Sequence, residues 1–145
     1  MPTASLKKKI NCSKEKIINI VLDIEKYPEF VPWCLNGKIH KKKEDKGILE
    51  ITADLTIGKG FFKDTYRSFV IYNKAKNSIK VSNLGGPLKN LENNWFFKEL
   101  EGFCEVNFYI DFELKNKFLN YLMKKSFKIG LDKISNSFEK RTQEI

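Results

Sequence analysis

Residues Phe103–Phe138 read FCEVNFYIDFELKNKFLNYLMKKSFKIGLDKISNSF, and the period of their apolar side chains changes partway along. Cys104, Val106, Phe108, Ile110, Phe112 and Leu114 occupy every second position, while Glu105, Asn107, Tyr109, Asp111 and Glu113 take the alternate ones. That alternation predicts a strand with one buried and one wet face. Beyond Leu114 the spacing becomes helical: Leu119, Met123, Phe127, Leu131, Ile134 and Phe138 trace one stripe, with lysines, Asp132 and Glu139 opposite. A helix of about 25 residues is roughly 35–40 Å long and needs a large apolar surface to lie on. Antiparallel strands joined by hairpins supply one if the sheet curves around the helix.

Working back from that strand, five more runs read as strands: Ile39–Lys43, Ile48–Ile57, Phe62–Tyr72, Ile79–Asn83 and Leu91–Leu100. The clusters between successive runs, EDKG, GKG, NKAKN, GGP and EG, are all turn-forming. Leu6, Lys8, Ile10 and Cys12 alternate with polar neighbours as a first strand, and Ser13 is a good N-cap for a helix carrying Ile17, Ile18, Val21, Leu22 and Ile24. The next residues are Tyr27–Cys34, YPEFVPWC. Pro28 biases Tyr27 away from the α region and ends the first helix, and Pro32 limits any second helix over 28–34 to about a turn. The expected architecture is α+β: a curved antiparallel sheet of about seven strands wrapped around a long C-terminal helix, with two short helices after strand one. The chain reads as a single domain over 1–145.

Hydrophobic residues make up 41% and charged ones 31%, ordinary values for a globular protein, and no segment approaches the ~18 apolar residues of a membrane span. The opening MPTASLKKKI lacks the apolar run of a secretory signal. A cytoplasmic protein is expected, at most peripheral at the inner membrane. Three separated cysteines with no CxxC predict reduced thiols and no metal. The net charge of +9 favours anionic partners, phospholipid surfaces or RNA, yet only Arg67 and Arg141 among 27 basic residues carry the bidentate fork favoured for reading DNA bases.

A catalytic set is hard to assemble. His40, the only histidine, lies among lysines on a strand expected at an edge, where solvation explains it. Cys34, beside Trp33 and without a second candidate histidine, reads as a small packed hydrophobe. Asp54, Asp64 and Asp111 sit on different strands with no sequence reason to pair. GKG at 58–60 and GGP at 85–87 do not stand between a strand and a helix, so they are turns rather than phosphate loops.

Three segments carry a family resemblance: YPEFVPWC after the first helix, GGPLKNLENNWFF at 85–97, and FEKR at 138–141. With the order of elements, they resemble the coenzyme Q-binding, START-like proteins of the polyketide cyclase and lipid-transport superfamily, whose bacterial members include one named ribosome association toxin. The matching positions are Tyr27, Pro28, Phe30, Pro32, Trp33 and Cys34, then Gly86, Pro87, Leu91, Trp95 and Phe97, then Phe138 and Arg141. Leu88 stands where the family commonly has Phe, and Asn93 falls near a usual glycine.

The resemblance implies a helix-grip fold with an elongated hydrophobic cavity between sheet and helix, and a non-enzymatic protein that binds ubiquinone or a similar isoprenoid quinone, with no covalent cofactor. The expected cavity or gate residues are Tyr27, Pro28, Phe30, Pro32, Trp33, Phe61, Phe62, Pro87, Leu88, Trp95, Phe97, Phe108, Met123 and Phe127. Tyr66, Ser68, Tyr72 and Asn83 are polar side chains on these strands that could orient a ring. Partners would be the quinone, a membrane surface reached through Lys41–Lys43 and Lys124–Lys125, and proteins of respiration or quinone biosynthesis. The alternative partner is the ribosome, through inhibition of subunit joining; DNA is not expected. A polyketide cyclase or aromatase activity has only superfamily membership behind it.

Overall fold

The computed structural model describes residues 3–59, 62–85 and 88–144; at 4, 59, 62, 85, 88, 112, 118–120 and 122–130 it describes the backbone alone. Seven strands, β1 (Thr3–Ile10), β2 (Cys34–Asp45), β3 (Ile48–Lys59), β4 (Phe62–Asn73), β5 (Ser78–Gly85), β6 (Leu88–Leu100) and β7 (Phe103–Leu114), form one antiparallel sheet in the order β1-β7-β6-β5-β4-β3-β2. Helix α1 (Lys14–Leu22) follows β1, and helix α2 (Lys117–Glu144) ends the chain, packed against α1 and β7.

The period-2 pattern holds where it was clearest. On β7, Cys104, Val106, Phe108 and Leu114 are buried on the inner face, as are Leu91, Trp95 and Phe97 on the neighbouring β6. Leu131, Phe138 and Thr142 are the buried residues of the second half of α2, and Ile17, Ile18, Ile20 and Val21 bury α1 in the core. Ser13 caps α1 as expected, its hydroxyl accepting from the Lys16 N–H at 3.2 Å.

Two expectations are corrected. The first helix ends at Leu22 rather than Tyr27, and Ile24–Glu29 continue as a 3₁₀ turn that includes Pro28. Ile24 and Tyr27 are three residues apart, a spacing that serves a 3₁₀ turn as well as an α-helix. The second short helix is therefore this 3₁₀ turn, ending at Glu29 instead of running over 28–34: Trp33 turns the chain at φ 65°, and β2 starts at Cys34, five residues before the expected Ile39. Register shifts at Leu35 and His40 break the alternation of β2. Between them Gly37 passes so close to the 3₁₀ turn that a Cβ would lie 2.4 Å from the Ile24 carbonyl oxygen. The Glu25 carboxylate accepts from the Ile39 N–H at 3.0 Å, covering part of this edge strand.

Candidate functional site

The inner face of the sheet has two ends of different character. At one, the YPEF and FEKR segments meet. The Phe138 ring lies 5.5 Å from Tyr27, 5.2 Å from Phe30 and 5.4 Å from Trp95, all edge to face, and Trp95 stands edge-on to Phe108 at 4.7 Å and stacked on Phe97 at 6.1 Å. Such geometry sets the positive ring edge against a negative face. The Arg141 guanidinium lies 5.0 Å over Phe30 and reaches Glu29 at 3.0 Å. The Tyr27 phenol donates to the Val21 carbonyl, one of the acceptors left open at the end of α1, and burial pushes its pKa up. The cavity against this cluster, lined by Leu6, Ile10, Trp95, Phe108, Leu131 and Phe138, measures about 30 Å³.

At the other end, Leu91 and Leu114 form a second buried cluster separate from the main core, with Tyr66, Val81 and Ile110 packed on it. Tyr66, Val81 and Ile110 all pack on the main core as well and so bridge the two. Asn93 lies directly between Val81 of β5 and Ile110 of β7 on this face. Helix α2 begins just after Leu114 and by Leu131 lies with Val106 and Phe108, so it runs back along β7. Polar groups dot this apolar surface. The Ser68 hydroxyl donates to the Ala53 carbonyl at 3.3 Å, the Asn83 side-chain oxygen accepts from the Leu91 N–H at 3.1 Å, and burial raises the pKa of the Tyr66 phenol, keeping it a protonated donor.

Of the residues expected to line a cavity, Tyr27, Phe30, Trp95, Phe97 and Phe108 are gathered at the aromatic end. Pro28 is exposed, and Pro32 and Trp33 are half-buried beside them; the Gly58 N–H donates to the Trp33 carbonyl at 2.9 Å, and Lys133 lies 6.0 Å from its ring. Phe61 and Pro87 lie outside the described residues, as do the side chains of Phe62, Leu88, Met123 and Phe127. The Val81–Asn93–Ile110 row was not singled out from the sequence. The alternation of β7, continued across the register into β6 and β5, is the signal that points to it.

Reactive side chains are kept apart. Burial pushes the Cys34 and Cys104 thiols up to about 11, so both stay protonated at neutral pH. Cys34 belongs to the inner core, whereas His40 points outward to Asp54, whose strand neighbours Ala53 and Leu55 are the buried ones. The sheet therefore stands between the thiol and the imidazole. The pairing of Asp54, unexpected from sequence, is with Arg67 through 2.8 and 3.2 Å bonds and with His40 at 2.6 Å. The register places Asp54 directly opposite Arg67. Hydrogen bonding from Arg67 is the main reason its carboxyl is held down to about 2.

The family model for polyketide cyclase / dehydrase and lipid transport matches residues 10–139. The chain is 32% identical to the mitochondrial coenzyme Q-binding protein COQ10 of Dictyostelium discoideum, over 99% of this chain and 70% of that protein. It is 31% identical to the ribosome association toxin RatA of Rickettsia prowazekii, over 90% of this chain and 89% of that protein. A START superfamily protein of Mycobacterium smegmatis superposes with a TM-score of 0.80 at 20% identity, covering 98% of this chain and 97% of the other, a likeness of fold.

Proposed function

This chain belongs to the polyketide cyclase / dehydrase and lipid transport family, and from that premise we propose that it is a non-enzymatic carrier of ubiquinone or a similar isoprenoid quinone. The observation behind this reading is the second end of the inner face: apolar side chains carrying a few polar groups, gathered around the buried pair Leu91 and Leu114. The COQ10 relative adds the ligand class. Each methylene of an isoprenoid tail removed from water gains ~0.8 kcal/mol, so the tail supplies affinity while polar groups orient the ring. The quinone keeps its own redox chemistry; the protein shields it and passes it to a membrane enzyme. Protonated, buried thiols and a histidine on the opposite face of the sheet fit a binder better than a catalyst.

Among the described residues no helix is long and apolar enough to cross a membrane. Exposed Lys41–Lys43 on the outermost strand offer contact with anionic lipid, at up to ~1 kcal/mol per charge near the surface. Organic extraction of the purified protein followed by mass spectrometry tests the reading. A quinone in the extract, and quenching of Trp33 and Trp95 fluorescence on adding ubiquinone, are expected; an extract free of quinone together with unchanged fluorescence overturns it.

The same lysine edge favours a second reading, contact with ribosomal RNA, in line with the RatA relative. Cosedimentation with ribosomal subunits that is lost at moderate salt is its expected signature, and a complex indifferent to salt contradicts it.

A further inference from the structure

Among the described residues two buried side-chain oxygens have no partner, Asp111 Oδ1 on the outer alternation of β7 and Asn93 Oδ1 on the inner face of the sheet. Asn93 projects to the same side as Leu91, Trp95 and Phe97, and its side-chain oxygen is buried without a hydrogen bond. The other amide on this surface differs, since the Asn83 oxygen is taken up by the Leu91 N–H. A buried acceptor left unpaired is destabilising, and native structures hold few of them. A leucine at position 93 would avoid the cost and extend the surface of Val81, Leu91 and Ile110. An acceptor kept there despite its cost is explained by a donor that arrives with the ligand.

We propose that Asn93 is the head-group anchor of the lipid site and that its oxygen selects a ligand bearing a hydroxyl, a hydroquinone or phenol, over the fully oxidised quinone. This deepens the carrier reading and rests on it. Because the amide oxygen and not its NH₂ is the buried, unpaired end of Asn93, a quinone ring, which offers only carbonyl and ether acceptors, gains nothing there, whereas the hydroquinone offers O–H donors. The Tyr66 phenol, bordering the same cluster, is a donor that quinone and quinol oxygens accept equally, so it positions a ring without discriminating its redox state. Tail burial is common to both forms. The preference therefore isolates one hydrogen bond to an otherwise unpaired group, which corresponds to roughly tenfold in affinity.

The test is calorimetric titration of the full chain with a short-tailed ubiquinone and, anaerobically, with the same compound reduced by dithionite. About tenfold tighter binding of the quinol is expected. In Asn93→Leu the two affinities should converge by weakening of the quinol alone, while the melting temperature of the unliganded protein rises. Asn93→Ala, which adds no bulk, should show the same convergence. Equal affinities in the unaltered protein, or a quinol preference that survives both substitutions, overturn the role of Asn93 and leave the carrier reading standing. Failure of either form to bind overturns both.

Discussion

The two ends of the inner face are built on the same strands and the same alternation, yet they treat polar groups and volume differently. Around Phe138 five aromatic rings fill the space edge to face or stacked, and the polar groups at the rim are paired: Tyr27 with Val21, Arg141 with Glu29, and Lys8 with Glu139 at 2.9 Å. Around Asn93 the described side chains are Val81, Ile110, Leu91 and Leu114, with Tyr66 the one described aromatic packed on them, and one amide oxygen has no partner. The first end holds the C-terminal helix to the sheet; the second has the features of a surface that a guest completes. Bulk marks the clamp, whereas an unmet hydrogen bond marks the site.

The strongest way to break that contrast is Phe138→Ala. A ring that touches Tyr27, Phe30 and Trp95 should cost ~3–5 kcal/mol on removal, measured by urea unfolding. A loss below about 1 kcal/mol would mean that the aromatic cluster does not hold the helix. Val81→Trp probes the other end. It should weaken ubiquinone retention at least tenfold while costing less than about 1 kcal/mol of stability, below the usual penalty for overfilling a packed core. If it unfolds the protein as severely as Phe138→Ala, the two ends are packed alike and the contrast fails.

Much of the fold was legible because burial on one face imposes a period. The bounds of β7 were read to the residue, and the stripe ending at Phe138 gave the long helix. Legibility failed where the period breaks for a local reason. Two register shifts and the tight passage of Gly37 under Ile24 hid the start of β2, and three-residue spacing concealed the 3₁₀ turn. The site was harder to read, since bulk attracts notice and partners do not. Phe30, Trp95 and Phe108 stood out as large apolar residues, but size says nothing of which other rings they meet. Asn93 looked like one polar residue in LENNWFF, and only its strand neighbours place it among Val81 and Ile110.

A finer test of the clamp is Tyr27→Phe, which keeps the ring against Phe138 and removes the phenol that serves the Val21 carbonyl. Leaving that acceptor unmet should cost ~1 kcal/mol, well below the loss for Phe138→Ala. A larger cost would locate the strength of this end in its hydrogen bond rather than in its rings.

The smallest expected effect compares the two faces of the sheet, because the outer face carries a trio of paired polar side chains where the inner face leaves the Asn93 oxygen unmet. Asp54, held by Arg67 and His40, has its carboxyl lowered from 3.8 to about 2. A carboxyl depressed on folding contributes stability that is complete above its unfolded value and is lost as pH falls through the folded one. Asp54→Asn should therefore trail the unaltered protein at neutral pH, and the gap should close between about pH 4 and pH 2 in urea unfolding at low salt. Arg67 is about half exposed, so solvent screens the pair and added salt should narrow the gap further. A gap that stays constant from neutral pH to pH 2 would mean that the outer trio is held by geometry alone, and that charge pairing is not what sets it apart from the row around Asn93.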